Sequence, residues 1–143
     1  MKKIFLPLIV IVLSLGYYSA EAQCNAFTKK KCMPGLSPYI HNGQLNSTSL
    51  TPGETAELVM SFHAGQEYRV LTCAQEVLGE VWFRILDSQH NPLFNSKEAK
   101  ENKFDFNVAT SQQLIVEVNV PGQKSNHGIV EEGCVSVLVG FKK

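Results

Sequence analysis

The sequence predicts an all-β protein: an antiparallel β-sandwich, jelly-roll-like, of seven or eight short strands. Three observations carry this. Apolar residues alternate with period two in run after run, turn signals recur about every eight to twelve residues, and no run of ten or more residues carries a helical apolar stripe. Val, Ile, Phe and Thr dominate the runs, as suits a pleated, half-buried surface.

Gln23 to Pro38 has no clean period and reads as an irregular N-terminal segment, with Lys29-Lys30-Lys31 preceding Met33-Pro34-Gly35. Asn42-Gly43 is a tight-turn signal, because both residues tolerate positive φ. Gln44 to Leu50 then offers a first strand, closed by Thr51-Pro52-Gly53. Thr55 to Phe62 puts Ala56, Leu58, Met60 and Phe62 on one side. Glu67 to Ala74 puts Tyr68, Val70 and Thr72 opposite Arg69, Leu71 and Cys73. Glu80 to Leu86 sets Val81, Phe83 and Ile85 against Trp82, Arg84 and Leu86, and ends on the turn-rich Asp87-Ser88-Gln89-His90-Asn91-Pro92.

Leu93-Phe94 adds a short return, and Asn95 to Asn102 is a polar connection. Ser96 to Lys103 is the one helical contender, but it lacks an apolar face. Lys103 to Val108 directs Phe104, Phe106 and Val108 inward, and Leu114 to Val120 directs Leu114, Val116, Val118 and Val120. After a long polar loop, Pro121 to Gly128, the last strand runs from Cys134 to Phe141. No repeat or interdomain linker interrupts this, so residues 23–143 form one domain: a disulfide-pinned segment and first strand over 23–50, and the sandwich over 51–143.

Residues 1–22 read as a cleaved secretory signal: Lys2 and Lys3, an apolar run from Ile4 to Leu15, and Ala20-Glu21-Ala22 at its end. The apolar run of about 12 residues is short of the roughly 20 that span a bilayer. Gln23 directly before Cys24 argues against a lipid-attached cysteine. The expected product is periplasmic or secreted. The full chain of 143 residues balances 13 basic against 13 acidic side chains, and loss of Lys2, Lys3 and Glu21 leaves it one charge negative. A nucleic-acid partner is excluded by that balance, because neutralising phosphates needs a clustered basic excess.

Four cysteines, Cys24, Cys32, Cys73 and Cys134, imply two disulfides in an exported chain. Three pairings are possible. Sequence locality favours Cys24 with Cys32, and strand placement favours Cys73 with Cys134. Zinc is disfavoured, since no C-x-x-C or Cys-His cluster occurs.

Pro52-Gly53-Glu54 leading into a strand, Gly65-Gln66-Glu67-Tyr68-Arg69-Val70, and Val81-Trp82-Phe83-Arg84-Ile85-Leu86-Asp87 before Leu93-Phe94 resemble the β-sandwich modules of the bacterial pre-peptidase C-terminal type and, more loosely, the Golgi-dynamics (GOLD) sandwich. The resemblance covers Thr51 to Phe141. The whole chain also looks like small secreted proteins of Bacteroidetes-type bacteria. Such modules imply a noncatalytic accessory or binding role. Two aspartates, Asp87 and Asp105, are too few to carry over the calcium seen in some of them.

No nucleophile elbow and no H-E-x-x-H motif occurs, His41, His63, His90 and His127 are isolated, and neighbours Glu131 and Glu132 point to opposite faces if extended. The expectation is therefore a binding protein with no cofactor or metal, recognising a protein partner or a surface polysaccharide. Candidate contacts are Trp82 beside Arg84, with burial of the indole under a loop or under Arg84 as the plain alternative; Tyr39 and His41 at the Asn42-Gly43 turn; and Lys30 in the basic triplet, which otherwise only solubilises. Two rivals stand beside it. One is a small hydrolase or lyase with a composite site drawing on His63, Glu67 or Glu80. The other is a protease inhibitor presenting Lys29, Lys30 or Lys31 on a Cys24–Cys32 loop.

Overall fold

Residues 20–123 and 128–143 are described by a computed structural model. Most of the signal expected over residues 1–22 lies outside them. In chain order the elements are helix α1 (Ala20–Phe27), a π-helical turn (Thr28–Cys32), a 3₁₀ turn (Met33–Leu36), strands β1 (Ile40–His41), β2 (Asn46–Leu50), β3 (Thr55–Phe62) and β4 (Glu67–Ala74), a 3₁₀ turn (Glu76–Leu78), strands β5 (Trp82–Leu86) and β6 (Pro92–Asn95), the one-turn helix α2 (Ser96–Ala99), and strands β7 (Lys103–Asn107), β8 (Gln112–Asn119) and β9 (Gly133–Lys142). Among the described residues no helix is long and apolar enough to cross a membrane.

The strands form two antiparallel sheets, as the alternation requires. The first runs β1-β9-β4-β7, with β2 on the same edge of β9 as β1; the second runs β3-β8-β5-β6. Register places apolar residues opposite one another: Val70 faces Val139 in the first sheet, and Leu58 and Val116, then Val118 and Phe83, pair in the second. Phe62, Val70, Phe83, Ile85 and Val116 at the centre are at most 1% exposed. Burying each such side chain contributes about 1.5–3 kcal/mol. On the β6/β7 side the sheets are zipped by Phe94 stacked on Phe104 at 4.2 Å and Phe104 on Phe106 at 5.2 Å.

The helical contender survives as a single turn. Asn95 caps it by accepting the Lys97 N–H at 3.0 Å, and Lys100, at φ 56°, ends it. Its buried Ser96 accepts the Phe83 N–H at 2.8 Å, tying the turn to β5.

The largest departure from the sequence reading is the N-terminal segment. It is helical, and it packs as a third layer across the outer face of the first sheet. Every outward residue of β9 meets it or its anchors. Cys134 bonds Cys24; the Ser136 hydroxyl pairs with Thr28, whose own hydroxyl donates to the Cys24 carbonyl at 2.7 Å; and Leu138 packs with Leu36, Leu71 and Cys32 in a second apolar cluster. Gly140 lies under Tyr39, and Lys142 reaches Glu67 at 3.1 Å. From Gly133 to Gly140, β9 is therefore buried on both faces. At Gly140 an added Cβ would sit 2.6 Å from the Tyr39 Cβ. Gly140→Ala is expected to cost about 1–3 kcal/mol of overpacking, read as a lower urea midpoint.

The disulfides join Cys24 to Cys134 and Cys32 to Cys73, not the favoured Cys24–Cys32 and Cys73–Cys134. Geometry explains both misses. Cys24 and Cys32 are eight positions apart along a helical segment, about 12 Å of rise at α-helical pitch, beyond the roughly 7 Å a disulfide spans. Cys73 faces Ser136, so Cys134 is its diagonal neighbour, at about 7–8 Å. Each strand cysteine instead meets one in the layer above.

Candidate partner-binding end of the sandwich

The residues singled out in the sequence do not converge. Tyr39 and Lys30 belong to the layer on the first sheet, whereas Trp82 and Arg84 face outward from the second. Tyr39 is buried, at 7% exposure, and its hydroxyl donates to the Glu67 carboxylate, while Arg69 and Lys142 sit 4.4 and 4.5 Å from its ring centroid. It is a packing anchor and not a loop-tip contact. His41 is half-buried and bonds the Gln44 carbonyl through Nε2 at 3.0 Å. Lys29, Lys30 and Lys31 are exposed on the π-helical turn, and their flanking cysteines bond the sheet, so the crosslinked inhibitor loop does not exist.

Arg84 is occupied. Its Nε and Nη2 donate to the Glu117 carboxylate at 2.9 and 3.0 Å, and Asn119 Nδ2 donates to the same group at 2.8 Å. Burial pushes the Glu117 pKa up, but the hydrogen bonds from Asn119 and Arg84 outweigh it and hold the carboxyl below its ordinary range. The composite site is split: His63 and Glu67 flank the turn that opens β4, while Glu80 lies beyond that strand's far end. Tyr39 and Lys142 engage Glu67 and depress its pKa, the Tyr39 hydrogen bond most. Among the described residues no group of three His, Cys, Asp or Glu gathers at metal-binding distance.

Trp82 is half-buried on β5, with Lys97 Nζ 5.5 Å and Arg84 Cζ 5.9 Å from its ring centroid. It walls a groove of about 590 Å³ with Glu80, Lys97, Lys100, Glu101 and Pro121. The groove opens at the end of the sandwich where β4 and β8 finish and β5 and β9 begin. Two loops meet there. Gln75 accepts the Cys134 N–H at 2.8 Å, Gln123 Nε2 donates to the Val77 carbonyl at 3.2 Å, and Gly133 packs against Val77 and Leu78.

This end carries a feature that the sequence reading passed over. Ile129 and Val130 are 71% and 67% exposed, the highest values among the large apolar side chains of the described residues, and Val77 on the neighbouring loop is 38% exposed. Glu76, Glu80, Glu131 and Glu132 accompany them, with no Lys or Arg in 75–81 or 128–133. The last strand is expected from Cys134, and Ile129 and Val130 fall in no expected element. The available signal was their position between Gly128 and two glutamates, outside any period-two run.

No family model and no curated protein matches the sequence. Among solved structures, the chain matches the crystal structure of PliG from Aeromonas hydrophila, a periplasmic lysozyme inhibitor of g-type lysozyme. The TM-score is 0.51 at 12% identity, covering 73% of this chain and 89% of that one. The likeness is one of fold.

Proposed function

We propose that the protein is an exported, noncatalytic binder that docks a protein partner through this loop end, and that it acts as an inhibitor of a wall-cleaving enzyme such as a g-type lysozyme. The observation that carries the proposal is the exposure of Ile129 and Val130, with Val77 on the neighbouring loop, in two segments that also carry Glu76, Glu80, Glu131 and Glu132, at one end of a crosslinked sandwich. Exposed β-branched side chains on loops gain from being buried by a partner. The glutamates would steer a partner with a basic rim and make association salt-sensitive. Cys134, two residues from Glu132, fixes the root of the loop, which lowers the ordering cost of binding. The fold shared with a lysozyme inhibitor and the two disulfides, which persist in oxidising compartments, support the same reading.

The test is wall lysis by g-type lysozyme and by other lysozyme classes, titrated with the protein. We expect inhibition by the native chain. Ile129→Asp with Val130→Asp is expected to weaken it about 30-fold or more, with no shift in the unfolding midpoint, because both side chains are already in water. Full activity of every lysozyme class at excess protein would reject the inhibitor reading.

A second reading, a wall glycan stacked on Trp82, is favoured by the half-exposed indole in its polar groove. Trp82 is the chain's one tryptophan, so its fluorescence reports groove occupancy directly. Quenching by soluble glycan fragments, lost in Trp82→Phe, would favour this reading over the first.

A further inference from the structure

The edges of the two sheets are not equally protected. β6 is four residues long, opens on Pro92 and slips register against β5. β7 is five residues long and carries exposed Lys103. Beside β9 the edge is broken between β1 and β2 by the Asn42-Gly43 turn. Short strands, proline, lysine and bulges are the devices that keep sheet edges from pairing with other chains. β3 has none of them. It runs in unbroken register with β8 for eight residues, from Thr55 opposite Asn119 to Phe62 opposite Gln112, with no proline and no lysine. Among the described residues no strand lies on its other side. The Val120 N–H donates to the Glu54 carbonyl at 2.9 Å, so by antiparallel alternation Ala56, Leu58 and Met60 turn their backbone groups to β8, whereas Glu57, Val59 and Ser61 turn theirs to the open side.

We propose that β3 is a self-association edge, at which two copies of the chain pair their β3 strands antiparallel about a two-fold axis through Val59, joining two four-stranded sheets into one of eight. The open row of N–H and C=O groups calls for an extended strand as the occupant, and the side chains name a second copy. With Val59 opposite its twin the strand complements itself along its length. Glu57 then falls opposite Ser61, Val59, which is 60% exposed, is covered by Val59, and on the inward face the half-buried Leu58 meets Met60. Charge and burial select this register. An axis through Glu57 would set two carboxylates face to face, and one through Leu58 would set Glu57 against Val59. β3 begins at the loop end of the sandwich, so the two-fold leaves the two loop ends at opposite ends of the pair. The pairing does not rest on the inhibitor reading.

Sedimentation velocity of the intact oxidised chain, from about 1 μM to about 1 mM, is expected to show a reversible monomer–dimer equilibrium. Amide exchange quenched at the two ends of that range and read by NMR places the contact. The Glu57, Val59 and Ser61 N–H groups should be protected in the dimer alone, and those of Leu58 and Met60, bonded to β8, at both concentrations. Val59→Lys brings like charges together at the axis and should weaken dimerisation about 30-fold or more. Ser61→Pro removes an open-side donor without touching the β8 ladder and should weaken it about tenfold. Both side chains are exposed, so the urea midpoint of each variant should match the parent. A chain that stays monomeric throughout, a dimer that survives Val59→Lys, or a dimer whose Glu57, Val59 and Ser61 amides exchange as freely as in the monomer would each overturn the proposal.

Discussion

Replacing Cys24 and Cys134 together by serine is expected to remove about 5 kcal/mol of stability. The bridge closes a loop of 110 residues, and the chain-entropy cost of opening that loop in the unfolded state is about that size. A domain has only about 5–15 kcal/mol to lose, so the variant should be largely unfolded at modest urea. The Cys32→Ser, Cys73→Ser variant opens a loop of 41 residues and should lose about 4 kcal/mol. Urea unfolding followed by Trp82 fluorescence and far-ultraviolet dichroism checks both, with the parent in oxidised and reduced forms as brackets. A loss below about 1 kcal/mol for the first variant would mean that the helical layer holds to the sheet by packing alone.

The second large effect is expected at Arg69. Its side chain is 9% exposed and paired through both Nε and Nη2 with Asp105 at 2.7 Å, while Nη1 donates to the Ser37 carbonyl at 2.9 Å and the Tyr39 ring lies over the guanidinium. The group thus clamps the end of the N-terminal layer to β4 and β7. Arg69→Met removes the buried partner and leaves Asp105, 40% exposed, to solvent, so the expected cost is about 1–3 kcal/mol, from the lost charged hydrogen bonds that tie the layer to the sheet. The pH profile separates this from simple lost packing. The Arg69 hydrogen bonds hold the Asp105 carboxyl below its ordinary pKa, and the Tyr39 hydroxyl does the same for Glu67. A carboxylate depressed in the folded state contributes stability that is full above its unfolded pKa, near 4, and is lost as pH falls through the depressed value. Native protein should therefore weaken on acidification below about pH 4, and Arg69→Met should flatten that limb. An unchanged acid limb in the variant would show that Asp105 is not coupled to folding through Arg69.

The sandwich itself was legible because its strands obey the simplest code. Thr55–Phe62 and Glu67–Ala74 form over the residues their alternation marks, and Phe83 and Ile85 turn inward as expected. Other bounds moved by one or two residues, and β1 carried no signal because two residues set no period. What alternation does not report is a third layer. Leu71, Cys73, Cys134, Ser136 and Leu138 read as an ordinary outer face, mixed enough for solvent, yet the helical segment buries most of it. That segment gave no warning in turn, since Cys24, Thr28, Cys32 and Leu36 recur at the four-residue spacing of a helix whose apolar face is two cysteines, a threonine and a leucine. The candidate site was less legible still. Trp82 stood out as a single large aromatic, but Ile129 and Val130 matter through exposure, which depends on where the chain leaves the sheet and not on their own identity.

The order of the cysteines along the chain has a consequence for how the molecule is made. The bridges are nested, with Cys32–Cys73 lying wholly inside Cys24–Cys134. When a polypeptide is delivered N-terminus first, Cys24 and Cys32 reach an oxidant together while the later thiols are still behind them, so the earliest bond available joins the wrong partners. Correct maturation then requires that bond to be reshuffled by thiol exchange, or withheld until the final strand has arrived. Yield from an oxidising host should thus follow its isomerase supply more than its oxidase supply.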